Sequence, residues 1–393
     1  MKCFPRFLSA QDESFFLFGP RGTGKTLWLR QTFPKALHLD LLSPADAYAY
    51  NAQPDRLREV VLGQKSKIIV IDEIQRAPDL LNVIHGMIVD FPDLRFVMTG
   101  SSTCKLHRRG VNLLGGRACL RTMHPFMAAE LGTAFDFERA LRHGMLPLIH
   151  GRPKPKTALQ GYVGTYLGEE VKREGMVRRV DTFACFLEAA SLSHGNTPNM
   201  ALIASECFVS QPTVANYFQI LRDLLLSFSV PVFSKRAKRN LLVRDKFYFW
   251  DVGVYQAIRP KGFLGMDEEL VTGMALEGLV AQHLRAWCDY SDGAHKLHHW
   301  RTISGLEVDF VVYGESSFAA FEVKLSKTIR DDHLRGLRAF GEDYPEAQLC
   351  LIYGGTEARL RGNVLCLPCE AFLRELCPNA LVPEIYSSVK KIE

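Results

Sequence analysis

A glycine-rich segment near the start of the chain constrains its fold more than any other feature of the sequence. It follows an apolar run, Ser14–Phe18, and precedes the start of a predicted helix, Leu27–Gln31. The pattern GxxxxGKT between a strand and a helix is typical of a P-loop, whose backbone N–H groups converge on phosphates at a helix N-terminus. The sequence therefore predicts a nucleotide site, formed by Gly19, Pro20, Arg21, Gly22, Thr23, Gly24, Lys25 and Thr26.

A second motif predicts the catalytic half of this site. The segment Lys67–Glu73 is a β-branched apolar run that ends in two carboxylates, which favours a buried parallel strand. Lys25 is expected to contact the β- and γ-phosphates, and Thr26 to bind Mg²⁺ together with Asp72, which would act through water. Glu73 would be the general base that activates the attacking water. ATP and Mg²⁺ are the expected cofactors.

Three further apolar segments complete a predicted doubly wound parallel sheet with helices on both faces. They are residues 36–40, 93–99 and 117–122. Thr99 and Ser101 stand at the end of the strand expected beside the acidic one. They are candidates to orient the hydrolytic water, and simple capping of the strand is an equal alternative.

Four motifs together resemble the AAA-type (AAA+) ATPases that are often described only as predicted ATP-binding proteins. They are GPRGTGKT (19–26), IDEIQ (71–75), TGSS (99–102) and GGR (115–117). The resemblance extends over nearly the whole chain. It implies a helical lid after the core and assembly into an oligomer, such as a hexameric ring.

The resemblance also implies that an arginine of one subunit completes the site of its neighbour. Arg117 is the candidate, because a guanidinium there would stabilise the charge that develops on the γ-phosphate. Arg108 and Arg109 are rivals for this role. A solvated surface arginine is the alternative.

Residues 181–260 predict three helices followed by a β-hairpin, the order of a winged helix-turn-helix. The third helix begins at the capping residue Ser210. The turn of the hairpin is strongly basic, which favours salt-sensitive contacts with the phosphates of duplex or branched DNA. Protein docking, with a solvated basic turn, is the alternative. The predicted DNA-binding residues are Lys235, Arg236, Lys238, Arg239 and Arg244.

Residues 261–393 predict a helix, three strands, a helix and a further strand. Strand alternation puts Glu322 and Lys324 on one face, and Asp309 lies on the adjacent strand. Asp309 and Glu322 would share a divalent metal, joined by Glu277 from the packed helix. Lys324 would position or deprotonate the attacking water.

This set resembles the PD-(D/E)xK nuclease superfamily, which includes Holliday-junction resolvases and restriction endonucleases. The proline of the motif is absent, because Val308 precedes Asp309. Two alternatives remain open: strand-end carboxylates paired with a lysine, and a degenerate nuclease fold that serves only for binding.

Composition limits the class of protein. The 393 residues carry a net charge of +5, with 47% hydrophobic and 23% charged residues, as in globular chains. The sequence contains no apolar run long enough to span a bilayer, and the first ten residues lack the apolar region of a signal peptide. Ten scattered cysteines are typical of free thiols in a reducing compartment, so a cytoplasmic protein without a membrane partner is expected.

The sequence thus predicts an α/β chain in four parts. The predicted function is an oligomeric, ATP-hydrolysing motor that translocates on or remodels branched DNA by Holliday-junction-like branch migration, with Mg²⁺-dependent DNA cleavage by its last part. The alternative is a nucleotide-controlled switch that binds DNA or protein through the winged helix and has a non-catalytic nuclease-like fold. The parts are an AAA+ P-loop ATPase core (1–124), a helical lid and linker (125–180), the winged helix-turn-helix (181–260) and the PD-(D/E)xK nuclease-like α/β domain (261–393).

Overall fold

The computed structural model of the chain describes residues 4–100, 116–167, 179–261, 267–292 and 294–381. They form two compact units. The smaller unit comprises Leu8–His124 and Leu221–Leu226, and the larger unit comprises Met1–Phe7, Pro125–Ile220 and Ser227–Glu393. Because the predicted four-part division is finer than this one, it stays a prediction.

The smaller unit is built on a five-stranded parallel sheet in the order β2-β3-β4-β1-β5. The predicted parallel sheet is therefore confirmed, and the order places β4 between the strand before the P-loop and the acidic strand. The strands are β1 (Phe15–Phe18), β2 (Leu37–Asp40), β3 (Ile68–Asp72), β4 (Arg95–Gly100) and β5 (Cys119–Thr122).

Helices cover both faces of this sheet, which explains why every residue of β1 is buried. Phe16 and Phe18 belong to a core cluster with residues of α3 and α4. Phe15 faces the opposite side, where its ring centroid lies 6.4 Å from that of Phe33 after α1. The helices are α1 (Lys25–Thr32), α2 (Pro44–Ala52), α3 (Arg56–Gln64) and α4 (Leu80–Asp90), with a 3₁₀ turn at Ile74–Arg76.

The first part of the larger unit is helical, as the sequence predicts. Three helices, α8 to α10, are followed by a two-stranded antiparallel sheet of β6 (Ser227–Val230) and β7 (Lys246–Phe249). The winged-helix assignment of this segment stays a prediction. The helices are α5 (Ala128–Leu131), α6 (Phe137–His143), α7 (Pro155–Gly161), α8 (Val180–Ser191), α9 (Met200–Glu206), α10 (Gln211–Asp223) and α11 (Val252–Ile258), with a π-helical turn at Tyr162–Leu167.

The last part of the larger unit is a six-stranded mixed sheet in the order β12-β13-β11-β10-β9-β8. Its succession of helix, three strands, helix and strand is the one that the sequence predicts, while the nuclease-like assignment stays a prediction. The elements are α12 (Glu268–Tyr290), β8 (Lys296–Arg301), β9 (Glu307–Tyr313), β10 (Phe318–Lys324), α13 (Arg335–Asp343), β11 (Gln348–Tyr353), β12 (Arg359–Arg361), β13 (Val364–Pro368) and α14 (Cys369–Glu375).

The connection between β6 and β7, residues 231–245, contains the basic turn that the sequence predicts and also packs against the six-stranded sheet. Phe233 is 1% exposed and packs in the core of the six-stranded sheet. Its N–H donates to the carbonyl oxygen of His299 at 2.7 Å, and Leu241 forms an isolated bridge with Thr302. The aromatic side chain anchors the connection, so the segment is packed against the sheet.

Within the described part of the chain, no helix combines the length and the apolar character needed to cross a membrane.

Buried His283 in α12 should make the larger unit sensitive to acid. Burial lowers the pKa of His283 to about 4, and the neutral ring accepts a hydrogen bond from the N–H of Ala128 at 3.0 Å. In the unfolded state His283 takes up a proton near pH 6.5, whereas in the folded state it does so only near pH 4. Because the unfolded state binds the proton more tightly, the free energy of unfolding decreases as the pH falls between those values. The loss reaches roughly 3 kcal/mol near pH 4.

We therefore expect His283→Gln, whose amide oxygen can still accept from Ala128, to lose less stability than the wild type between pH 6.5 and pH 4. Urea unfolding at a series of pH values measures this difference. Parallel stability profiles for the two proteins would contradict the assignment.

Candidate functional site

The P-loop lies between β1 and α1, and its path requires glycine at two positions. Gly24 has a φ of 93°, a left-handed conformation that glycine adopts without strain. A Cβ atom on Gly19 would lie 2.5 Å from the carbonyl oxygen of Met123. The loop therefore begins so close to the segment after β5 that no larger residue fits without a shift.

The ammonium of Lys25, the first residue of α1, is held by the loop itself. The residue is 7% exposed, and Nζ donates to the carbonyl oxygens of Gly19 and Pro20 at 2.6 and 3.2 Å. Hydrogen bonds from an ammonium to a charged phosphate are stronger than those to neutral carbonyls. The lysine is thus placed to exchange these carbonyls for phosphate oxygens.

Asp72 joins the P-loop to the two central strands. Thr26 Oγ1 donates to Asp72 Oδ2 at 2.6 Å, and the hydroxyl of Thr99 donates to Asp72 Oδ1. Thr99 reaches this position because β4 lies beside β3. Hydroxyl and carboxylate oxygens are hard donors of the kind that Mg²⁺ prefers, so Thr26 and Asp72 fit a magnesium ion.

Glu73 is held in a strained conformation by its neighbours. Its φ of 61° and ψ of 48° lie in the left-handed region, which costs energy for a residue other than glycine and is common at functional sites. Its N–H donates to Thr99 Oγ1 at 3.2 Å. Its carboxylate oxygen Oε2 accepts from Gln75 Nε2 at 2.5 Å. The predicted general base is therefore bound to a side-chain amide of the same chain.

Gln75 is a site residue that the sequence analysis missed. It is 6% exposed and lies against β4, where a Cβ atom on Gly100 would approach its Oε1 to 2.7 Å. Its place two residues after Glu73 in the IDEIQ segment is the signal that points to it. Its importance depends on the left-handed turn at Glu73, which the sequence does not show.

Acidic and basic side chains form a second polar group in the larger unit, here called the carboxylate cluster. Lys324 Nζ donates to Glu322 Oε1 at 2.6 Å, and Asp309 Oδ2 accepts from the N–H of Val323 at 2.9 Å. The cluster therefore includes all the residues predicted for the nuclease-like site, together with others that the sequence analysis missed. Its members are Lys246, Tyr248, Glu277, Glu307, Asp309, Glu322 and Lys324.

The carboxyl groups of this cluster differ in their affinity for protons. Burial raises the pKa of Glu322 to about 8, and the nearby charge of Asp309 adds to the effect. Burial raises the pKa of Glu277 to about 7, although Lys246 acts in the opposite direction. For Asp309, burial is outweighed by the ammonium groups of Lys246 and Lys324, so its pKa lies below the ordinary value. Of these three carboxyl groups, Asp309 is the one held most firmly in its charged form.

Among the residues that the structure describes, no group of three or more His, Cys, Asp or Glu side chains is arranged to hold a metal ion. Oxygen donors are present in the carboxylate cluster, but ammonium groups lie among them. The residues therefore do not fit a divalent ion as they stand. Metal binding by Asp309 and Glu322 stays a prediction.

The residues predicted to contact DNA lie on the 231–245 connection and contact the surface of the larger unit. Arg239 pairs with Asp343 at 2.9 Å and with Glu342 at 2.7 Å, and Arg236 pairs with Glu346. Lys235 Nζ lies 4.1 Å from the ring centroid of Tyr313. Lys238 Nζ donates to the carbonyl oxygen of Glu342 at 3.3 Å. Arg244 is exposed. DNA contact by these residues stays a prediction.

Family models match three consecutive parts of the chain. Residues 11–132, which contain the P-loop, Asp72 and Glu73, match the model of an AAA domain. This part is similar to AAA domains. Residues 134–269 and 272–372 match two domains of unknown function, DUF8612 and DUF4143.

Two mycobacterial proteins are similar to most of the chain. "Uncharacterized protein Rv2008c" of Mycobacterium tuberculosis is 27% identical over 373 residues, which cover 91% of this chain and 80% of that protein. "Uncharacterized protein Mb2031c" of Mycobacterium bovis matches to the same extent.

Solved structures are similar only at a low level. A structure described as "Replication initiator DnaA bound to AMPPCP and single-stranded DNA" has a TM-score of 0.28 at 12% identity, covering 53% of this chain and 82% of that chain. The ORC2 protein of Aeropyrum pernix in its ADP form has a TM-score of 0.30 at 12% identity, covering 69% and 88%. Similarity at this level carries no argument about function.

Four further residues were predicted to act in the ATPase core, and the structure describes one of them, Arg117. Arg117 is exposed, and its Nη1 donates to Nε2 of His85 at 2.5 Å. Its role towards a neighbouring subunit stays a prediction. Ser101, Arg108 and Arg109 lie outside the described residues.

The path of the P-loop in the ATPase core predicts a sharp difference between two glycine substitutions. Gly19→Ala forces a Cβ atom against the Met123 carbonyl, so we expect a loss of about 1–3 kcal/mol of stability and weaker ATP binding. Gly63→Ala, in α3, is the matched control, since its Cβ atom would meet no atom within 4 Å. It should be neutral or stabilise the protein by up to about 1 kcal/mol.

Thermal unfolding and titration with a fluorescent ATP analogue measure both effects. Equal ATP affinity of Gly19→Ala and the wild type would contradict the loop geometry.

Proposed function

We propose that this chain is a nucleotide-controlled switch, an ATPase that binds ATP with Mg²⁺ at the P-loop, hydrolyses it slowly and engages a protein or DNA partner in one nucleotide state. The observation that carries the proposal is the hydrogen bond from Gln75 Nε2 to Glu73 Oε2. A carboxylate that accepts this hydrogen bond is a weaker base for water. Hydrolysis is therefore slow as long as the hydrogen bond between Gln75 and Glu73 is present.

Each residue of the ATPase core has a separate role in hydrolysis. Lys25 leaves the carbonyl oxygens of Gly19 and Pro20 and binds the β- and γ-phosphates. Thr26 and Asp72 would hold Mg²⁺, which supplies neutralisation of phosphate charge when it is bound. Once released, Glu73 takes a proton from the attacking water as that water attacks the γ-phosphorus and ADP leaves.

Thr99 and Arg117 would contribute to hydrolysis in different ways. Thr99 fixes the orientation of Asp72 and of the Glu73 backbone through two hydrogen bonds. Arg117, which is exposed, would serve the γ-phosphate of a neighbouring subunit in an oligomer, where such an arginine accelerates hydrolysis about 10³–10⁵-fold.

Two exposed apolar side chains, one on α9 and one just after it, support a protein partner. Phe208 is 95% exposed in the turn between α9 and α10, and Leu202 on α9 is 62% exposed. A partner that covers Phe208 would bury an aromatic side chain, the kind of residue that contributes most to interfaces.

A motor on branched DNA is the second candidate function. It is favoured by the concentration of Lys and Arg between residues 235 and 244, with Arg244 exposed. In this version an oligomer, such as a hexameric ring, would remodel branched DNA by Holliday-junction-like branch migration. Strand cleavage by Asp309, Glu322 and Lys324 stays a prediction, because ammonium groups lie among the carboxylate oxygens. The pairing of Arg236 and Arg239 with acidic side chains weakens this version relative to the switch.

The Gln75–Glu73 hydrogen bond predicts opposite effects of two substitutions. Gln75→Ala frees the base, and since a hydrogen bond contributes about 0.5–1.5 kcal/mol, we expect ATP turnover to rise about two- to tenfold. Glu73→Gln keeps the shape but removes the base, so turnover should fall by about 10²–10⁴-fold while ATP still binds. Steady-state phosphate release and ATP titration measure both. A folded Gln75→Ala variant with unchanged or reduced turnover would show that Gln75 does not restrain Glu73.

A labelled four-way DNA junction separates the switch from the motor. With ATP and Mg²⁺, the switch predicts intact junctions on native and denaturing gels, whether or not DNA is bound. Separation of arms by the wild type, absent in Lys25→Ala, would replace the switch with branch migration. Shortened strands lost in Asp309→Ala would instead identify a nuclease.

A further inference from the structure

The carboxylate cluster already contains a cation at its centre. Lys246 Nζ lies 2.7 Å from Glu307 Oε1, 3.0 Å from Asp309 Oδ1 and 3.1 Å from Glu277 Oε1. The lysine comes from β7, the glutamate Glu277 from α12 and the other two carboxylates from β9. Lys246 is 3% exposed, so its charge is compensated by these groups and not by solvent.

The chemistry of the ammonium matches its surroundings. An ammonium has three N–H donors and no acceptor, and three carboxylate oxygens lie within hydrogen-bond distance of it. A buried charge is tolerated only when it is paired and hydrogen-bonded in this way. The lysine therefore lies where a divalent ion bound to Asp309 and Glu277 would compete with it for the same carboxylate oxygens.

Other donors of the chain also form hydrogen bonds with the carboxylate oxygens of the cluster. Glu277 Oε1 also accepts from the hydroxyl of Tyr248 at 2.6 Å, and Asp309 Oδ2 accepts from the Val323 N–H at 2.9 Å. Lys324 occupies Glu322 Oε1 at 2.6 Å. Within the described residues only Glu322 Oε2, of the buried side-chain atoms in this cluster, has no hydrogen-bond partner. Glu277, Asp309 and Glu322 therefore all accept hydrogen bonds from donors of the chain itself.

We infer that the ammonium of Lys246 is the resident cation of the carboxylate cluster and takes the place of the divalent metal that the resemblance to PD-(D/E)xK nucleases implies. The C-terminal part of the chain then carries a nuclease-like set of carboxylates without its metal. The lysine instead fixes β7, and with it the end of the 231–245 connection, to α12 and β9. This inference goes beyond the proposed switch and does not depend on hydrolysis at the P-loop.

Metal binding by variants of the full chain tests this inference. Lys246→Met keeps the length of the side chain and removes its charge, so the cluster should gain a site for Mn²⁺. Titration with Mn²⁺ in the absence of nucleotide, followed by the electron paramagnetic resonance signal of free Mn²⁺, should show additional binding in Lys246→Met relative to the wild type. That gain should be lost in the double variant Lys246→Met/Asp309→Asn.

Thermal unfolding gives a second readout that does not depend on enzyme activity. Removal of the central cation leaves buried carboxylates uncompensated, so Lys246→Met should unfold at a lower temperature than the wild type. Added Mn²⁺ should raise the unfolding temperature of this variant by more than it raises that of the wild type. The matched control is Lys296→Met, an exposed lysine on β8, which should respond like the wild type.

Two outcomes overturn the inference. One is Mn²⁺ binding by the wild type that is lost in Asp309→Asn and retained in Thr26→Ala, a P-loop variant. This comparison does not require Lys246→Met to fold. The other is a folded Lys246→Met variant that gains no Mn²⁺, because the lysine would then occupy no latent cation site.

Discussion

The carboxylate of Asp72 is the group on which the organisation of the nucleotide site depends. A charged group at the end of a buried parallel strand must be satisfied by nearby donors, and Asp72 obtains them from Thr26 and Thr99. One oxygen thereby fixes the start of α1 and the other fixes the end of β4. Thr99 in turn accepts from the Glu73 N–H and stabilises the left-handed turn that presents Glu73 to Gln75.

The same physical demand is met differently in the larger unit. There the buried carboxylate of Asp309 and the half-buried carboxylates of Glu277 and Glu307 surround an ammonium. In the ATPase core the acidic group leaves oxygens that fit a metal ion, whereas in the carboxylate cluster a lysine of the chain supplies the charge. The two acidic sites of the chain therefore differ in what neutralises them: hydroxyl donors surround Asp72, whereas an ammonium lies among the carboxylates of the cluster.

Features that depend on neighbouring residues in the sequence could be predicted. The P-loop and the acidic strand are defined by consecutive residues, and the parallel sheet follows from their apolar runs. The strand order and the contact of Gln75 with Glu73 depend on tertiary packing, which a local pattern does not encode. Phe233 and Lys246 illustrate this limit best. Both appear in the sequence as ordinary hairpin residues, yet one is anchored in the core of the six-stranded sheet and the other lies at the centre of the carboxylate cluster.

The central claim is that the P-loop binds ATP and that binding frees Glu73 from Gln75. A structure of the chain with a non-hydrolysable ATP analogue and Mg²⁺ tests it most directly. The account predicts phosphates in the loop, Lys25 Nζ on phosphate oxygens instead of the carbonyls of Gly19 and Pro20, and a Glu73 carboxylate that no longer accepts from Gln75. A bound analogue with the Gln75–Glu73 hydrogen bond intact would contradict the proposed switch, and an analogue bound elsewhere would contradict the site itself.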